Sequence, residues 1–476
     1  MVVRLGGLTI IGSIFAILVV IVAEVVPLFL PPSASPLGSF RIDAEGPPLA
    51  AGVDEYREVA FLIDGKGVAR FASLAGGEDP APIPLLPAGA APAVAAAAGG
   101  GGWYALATAD GLLFQVEVGF EAIYEGETRA IRQHARTAEP LAIDPEAVRP
   151  ARRLAYARLD DGALLAAQVD DAAVIVVRVI ERRALIGGTT IEIGRHPVVL
   201  PPGAAITALK IDERGRDLFV GTDDGRIVRF GLGEADRDGP AGSVEAASRA
   251  GAAITTLGYL LGDRTLVVGD AAGGVGTWQL VGARGQRAGQ LQKMHGFAPH
   301  AGPVAAFAPS SRGKSFLTAD ASGAVRLRHG TTGETLIAID SGVKRLSLLV
   351  LAPKGDGLLA AGEDGGAEHW SIESPHPEIS LGALFGPVWY EGYDRPEMVW
   401  QSTGGTDDFE PKMSLTPLIC GTLKGTFYAM LFAVPLALLS ALYTSQFMHP
   451  ALKGVVKPAV EIMAALPSVV LGFIAG

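Results

Sequence analysis

Four stretches of the chain align on one another without gaps: LFVGTDDGRIVRFGL (Leu218–Leu232), LVVGDAAGGVGTWQL (Leu266–Leu280), FLTADASGAVRLRHG (Phe316–Gly330) and LLAAGEDGGAEHWSI (Leu358–Ile372). Each reads as an apolar strand, an acidic Gly turn and a second strand. Taking Gly225, Gly273, Gly323 and Gly365 as register points gives spacings of 48, 50 and 42 residues. It also places Phe230, Trp278, Arg328 and Trp370 five residues on, where each side chain would face a neighbouring repeat. A further strand-like stretch precedes each unit (ITALKID, ITTLGYL, VAAFAPS, LSLLVLA). This period suits four-stranded blades, which bury their faces only by stacking around an axis.

Weaker echoes lie upstream in VAFLIDGKGVARFASL (Val59–Leu74), WYALATADGLLFQVEV (Trp103–Val118) and RLAYARLDDGALLAAQV (Arg153–Val169), giving seven units from Tyr56 to Ile372. The sixth unit opens with His300 and Gly302, and on these residues the array resembles the WD-repeat propellers, although Arg328 stands where that family has Trp. The resemblance implies a propeller architecture rather than the family's detailed hydrogen-bond network. Asp224, Asp320 and Asp364 read as turn formers, and Asp160, Asp161, Asp170 and Asp171 as solvated residues beside a hairpin. The low-complexity stretches Ala90–Gly102 and Gly231–Ser243 read as flexible loops, and residues 32–55, stiffened by Pro31–Pro36, as a linker.

Apolar runs flank this array. Leu5–Leu30 is long enough to cross a hydrocarbon core of ~30 Å, and residues 1–31 are expected as a transmembrane helix. Leu415–Phe447 is a second run, with Lys424 near its start and Pro435 in its middle; a third runs from Val455 to Gly476 with Glu461 and Pro467. Arg4 before the first run predicts a cytoplasmic N-terminus, and Lys453 and Lys457 in the connection His449–Pro458 predict the same topology, with the repeats on the periplasmic side. Such an apolar ending reads as a truncated fragment.

The fold class expected is therefore mixed: an all-β propeller of seven blades, residues 56–372, inserted between transmembrane α-helices. Residues 373–414 form an aromatic-rich join (Phe385, Trp389, Tyr390, Tyr393, Trp400 and Phe409), read either as a collar at the membrane interface or as a linker packed on the propeller rim. Residues 415–476 begin a membrane domain of two helices, incomplete as it stands.

The last stretch is similar to the Pst-type phosphate ABC transporter permeases (PstC-like). The residues carrying this are Pro417 to Leu423, Ala433–Leu436, and then Lys457, Pro458, Glu461, Ala464, Ala465, Leu466, Pro467, Ser468, Val469, Val470 and Gly472. The resemblance covers about the last 65 residues. It implies a subunit of an importer for inorganic phosphate in the cell inner membrane. It also implies a second permease subunit, cytoplasmic ATPase subunits, a periplasmic phosphate-binding protein and membrane lipid as partners. The loop that contacts the ATPase normally lies further downstream and is missing from this chain.

Substrate-pathway or helix-packing candidates are Glu461, Pro467, Ser468, Pro435 and Lys424. An ionisable residue in a membrane helix faces protein or water. Glu461 can instead contact Lys457 four residues away, and Lys424 can snorkel. A proline within such a helix frees a carbonyl that must find another donor. The net charge of −11 and the lack of a basic cluster argue against nucleic acid. No CxxC, HExxH, calcium-loop or phosphate-loop motif is present, so no metal or cofactor is expected. Cys420 is the only cysteine and forms no intrachain disulfide. His295 and His300 read as loop residues. No nucleophile–base arrangement stands out, so an enzyme is not expected. The competing reading is a membrane-tethered interaction scaffold without transport activity.

Overall fold

The computed structural model describes residues 2–126, 128–183, 189–233, 239–282, 289–405 and 409–465. The chain divides into two units, Met1–Met413 and Ser414–Gly476. The first opens with helix α1 (Val2–Val25), continued by a 3₁₀ turn over Val26–Phe29. It then forms a seven-bladed β-propeller.

Strands are counted outward from the axis. The first six blades begin with Ala50–Val53, Ala93–Gly100, Arg153–Leu159, Ile206–Ile211, Ile254–Tyr259 and Val304–Pro309. Each continues outward as an antiparallel meander, and blade two has an additional pairing of its long third strand (Leu112–Glu125) with Thr128–Thr137. Blade seven takes its three inner strands from Leu346–Leu351, Gly357–Gly362 and Gly366–Glu373. Its outermost strand, β1 (Ser33–Arg41), comes from the other end of the propeller sequence, pairing Ser33 with Glu373 and Arg41 with Gly366.

This corrects the linker reading of residues 32–55: they hold β1 and the first strand of blade one. Pro36 fits because an outermost strand has no neighbour awaiting its N–H. Leu37, skipped between Pro36 and Gly38, forms a bulge. A strand with these residues has the composition of a linker, which is why sequence alone misassigned it.

Three other expectations about the repeats change. Ala93–Gly100, read as part of a flexible loop, is the innermost strand of blade two. Space near the axis demands small residues there: a Cβ on Gly99 would lie 2.3 Å from the Tyr156 ring. The other low-complexity stretch contributes Pro240–Glu245 as the outer strand of blade four, and residues 234–238 of it lie outside the described set. The third repeat was also one strand out of register. In six blades the acidic Gly turn joins strands two and three, with Gly67, Gly111, Gly225, Gly273, Gly323 and Gly365 all at positive φ. In blade three the Asp-Asp-Gly turn at Gly162 joins strands one and two instead.

Seven clusters of buried apolar side chains lie one between each pair of neighbouring blades. Phe230 packs between blades three and four, Trp278 between four and five, and Trp370 against the cluster between six and seven. Arg328 fills the equivalent slot in blade six, fully buried, its guanidinium 5.1 Å from the Phe297 ring of blade five and its Nη2 donating to the Ala298 carbonyl at 2.8 Å. Burial lowers its pKa to about 10.

The turn aspartates are hydrogen-bond acceptors within their own hairpins. Asp320 Oδ1 accepts from the Ser322 and Ala324 amides at 3.0 and 3.3 Å, and Asp364 Oδ1 from Gly366 at 3.1 Å. His300 does more than sit in a loop. It is buried, and its Nε2 pairs with Thr318 Oγ1 at 2.9 Å, which ties the entry of blade six to that blade's second strand.

The second unit contains α3 (Thr416–Leu442), which continues as a π turn over Tyr443–Phe447, and α4 (Pro450–Ala465). The preceding short helix α2 (Leu381–Phe385) belongs to the first unit. Residues 450–458, expected as a loop between membrane runs, are already helical. Among the described residues two helical stretches, Ile11–Phe29 and Thr416–Phe447, are long and apolar enough to cross a membrane, and neither is buried.

Gly365 tests the ring closure. Its φ is +77°, and a Cβ there would lie 2.3 Å from the Ile42 carbonyl, where the chain leaves β1. Gly76, at φ +88°, has open space around it. Gly76→Ala should cost only the left-handed backbone term of ~1–2 kcal/mol, and Gly365→Ala clearly more, read as the larger fall in midpoint on denaturant unfolding.

Candidate functional site

The joining segment carries the most unusual chemistry of the first unit. Ser380 caps α2 by accepting from the Ala383 amide at 3.1 Å, and this turn buries Ala383 and Leu384. Val388 and Tyr390 follow, also buried, packed with Tyr393 and Val399. A two-residue ladder pairs Trp400 with Met413 and Gln401 with Lys412. Lys412 Nζ lies 5.0 Å from the Phe409 ring and 5.7 Å from those of Tyr390 and Tyr393.

Polar side chains tie this segment to blades five and six. Lys314, in the turn between strands one and two of blade six, donates from Nζ to Glu391 Oε2 at 2.6 Å and to the Leu261 carbonyl. Glu391 Oε1 accepts from Thr265 Oγ1 of blade five at 2.6 Å. Glu410 pairs with the Thr331 hydroxyl of blade six, and its Oε2 accepts from the Glu391 amide at 3.2 Å. Gln279 donates to the Tyr393 carbonyl at 3.0 Å and accepts from the Gly392 amide at 3.3 Å. The side chains of Lys314 and Glu391 are only 5% and 8% exposed.

These contacts form a clasp in which Lys314 pairs with Glu391, while the second buried carboxyl, Glu410, has the Thr331 hydroxyl and the Glu391 amide as its partners. Burial first, and the Glu391 charge second, raise the Glu410 pKa to about 7. Nearby His329 is held neutral, its pKa lowered to about 3 mainly by burial. Beside these groups lies a cavity of about 300 Å³, lined by Lys314, His329, Thr331, Tyr390 and Glu410 among others. None of these clasp residues was among the sequence candidates. A lone Lys in a Ser-Ser-Arg-Gly-Lys turn and two glutamates in an aromatic stretch carry no motif; only their convergence across the fold makes them a group.

The sequence candidates lie in the second unit. Lys424 is exposed on α3, with Nζ 6.0 Å from the Tyr428 ring. Pro435 lies within α3 and removes the donor that the Leu431 carbonyl would use. Glu461 is exposed on α4. No hydrogen bond or ion pair joins Lys424 to Glu461, or Glu461 to Lys457, among the described residues. Pro467 and Ser468 lie outside those residues. Among the described residues no group of three or more metal-ligating side chains converges.

The clasp predicts a pH dependence. A carboxyl whose folded pKa is raised stabilises fully below its unfolded value, near 4.5, and loses that contribution as pH rises through about 7. The full span is on the order of 3 kcal/mol. Glu410→Gln should therefore raise stability relative to the parent chain above pH 7, the difference shrinking toward pH 4.5. Denaturant midpoints of both proteins at several pH values check this, and their difference separates Glu410 from the other buried titratable groups.

Comparison with known proteins adds three findings. No protein-family model matches the chain. A probable ABC transporter permease protein, YqgH of Bacillus subtilis (strain 168), is 34% identical over 67 residues, 14% of this chain. The chain spans only 22% of that relative's length. Among solved structures, the β-propeller domain of Cps50 (Swd1) from Myceliophteria thermophila superposes with a TM-score of 0.51 at 14% identity, covering 72% of this chain and all of that one. A chain of the mitotic checkpoint complex aligns at a TM-score of 0.48, too low to add to the fold assignment.

Proposed function

We propose that this chain is a membrane-spanning permease subunit, or part of one, of an ABC importer for inorganic phosphate, carrying its propeller outside the cytoplasm. The observation that carries the reading is the 67-residue similarity to a probable ABC permease, together with the Pst-type residues between Pro417 and Gly472. The shape of α3 supports it. Large apolar side chains such as Leu423, Phe427, Leu436 and Leu439 stand exposed along it, and none of its residues is buried. A helix apolar on all sides belongs in lipid or within a helix bundle.

In this reading Pro435 bends a helix that packs on sister helices, and the freed carbonyl finds a donor there. Glu461 and Lys424 face protein or the ion's path. A periplasmic binding protein delivers phosphate, a second permease subunit completes the pathway, and separate ATPase subunits supply the energy, so this chain itself catalyses no reaction. The N-terminus is cytoplasmic and the membrane is the cell inner membrane.

A membrane-tethered scaffold is the second reading, favoured by one observation: the propeller occupies most of the chain, whereas only two described helices are long enough to span. One experiment separates the two. Under phosphate starvation, with any duplicate system removed, deleting the gene should abolish high-affinity uptake of labelled phosphate, and Pro435→Leu or Glu461→Gln should reduce it while the chain still reaches the membrane. Unchanged uptake in the deletion strain would contradict the transport reading and leave the scaffold.

A further inference from the structure

Every blade is an antiparallel meander, so the turns joining strands one to two and three to four share one end of the propeller. The chain enters and leaves the propeller at that end. β1 begins at Ser33, paired with Glu373, where the third strand of blade seven finishes. Only Pro31 and Pro32 separate Leu30 from Ser33, a reach of no more than about 10 Å.

The joining segment is fixed at the same end, through Lys314 and Thr331 in turns of blade six. It leaves apolar side chains outward. Leu381 and Phe385, one helical turn apart on α2, are 69% and 51% exposed, whereas Ala383 and Leu384 between them face inward. Trp400 is 41% exposed and is the ladder partner of Met413, three residues before α3 begins at Thr416. Arg214 and Arg264, in the same-end turns of blades four and five, are exposed and make no ion pair among the described residues.

We propose that this end of the propeller rests on a phospholipid surface, with Leu381, Phe385 and Trp400 among the headgroups and Arg214 and Arg264 facing lipid phosphates. The inference rests on reading α1 and α3 as membrane spans, and it goes further by naming the propeller surface that meets lipid. Tryptophan suits this role because an amphipathic ring is most stable between water and hydrocarbon. An exposed Leu–Phe pair on a helix otherwise packed inward gains by leaving water. The clasp fixes the segment that presents these side chains. The opposite end, with the acidic Gly hairpins of the other six blades, then faces water, while the exposed Asp160–Asp161 turn of blade three lies at the lipid end, away from Arg264 by two blades.

Site-specific quenching tests this on the full chain. In a Cys420→Ser background, bimane is attached at Leu381→Cys, Trp400→Cys or Ala321→Cys, the last in a hairpin at the opposite end. Each protein is placed in phosphatidylcholine–phosphatidylglycerol vesicles containing headgroup nitroxide lipid. Quenching severalfold stronger at positions 381 and 400 than at 321 is expected. Equal quenching at all three, with the chain resisting alkaline carbonate extraction, overturns the inference and spares the membrane reading. Release by carbonate overturns both.

Discussion

The backbone pairing of β1 with the strand Gly366–Glu373 is the constraint on which the rest depends. Without it blade seven has three strands, and the ring is held shut by side-chain packing between blades seven and one and by the contacts of Arg57 with Asp356 and Ser371. With it, residues more than three hundred positions apart form one ladder, and the chain's entry to and exit from the propeller lie side by side. The pairing is non-local, so the entropy of closing that loop opposes it, though this grows only slowly with loop length. Contacts around it answer that cost. Ile42 donates to the Gly365 carbonyl at 3.0 Å, and the cluster of Ile42, Ala60, Leu62, Leu359 and Ala361 fills the last interface. The exposed Arg41–Asp364 pair, at 2.8 Å, adds little by comparison.

The clasp works on the opposite principle. It buries charge rather than covering apolar surface, and a buried ion pair repays its desolvation only when its remaining donors and acceptors are satisfied. Lys314 comes close to that, with a carboxylate and a carbonyl as acceptors. For Glu410, burial and the Glu391 charge favour the neutral carboxyl, which lessens that penalty. The result is a joining segment whose position relative to blades five and six is specific. Apolar packing of Val388 and Tyr390 alone would tolerate sliding, whereas the Glu391, Gly392 and Tyr393 bonds fix the register.

What sequence could reveal follows from the same physics. The hairpin glycines were legible because a positive φ leaves a compositional mark, and their period was enough for a seven-bladed ring. The mark does not say which hairpin it belongs to, so Gly162 drew the third repeat out of register. Strands at the two radial extremes were hidden. The innermost strand of blade two is alanine and glycine apart from Val94 because neighbouring inner strands approach closely, and β1 carries Pro36 because an outer strand tolerates it. Both resemble loops in composition. Arg328 could be placed in the tryptophan slot, but its stacking on Phe297 depends on a neighbouring blade. The clasp was invisible, since Lys314, Glu391 and Glu410 meet only after the ring has closed. Of the membrane candidates, Lys424, Pro435 and Glu461 lie on α3 and α4, and nothing in those helices by themselves draws them together.

The closure is most directly tested by its register. Ser35 lies opposite Ser371 in the ladder between β1 and the third strand of blade seven. In a chain carrying Ser35→Cys, Ser371→Cys and Cys420→Ser, mild oxidation should link the two cysteines within one molecule and raise the unfolding temperature. Thiols that stay free in the folded, oxidised protein, or that couple only between molecules, would show that residues 33–41 do not close the ring.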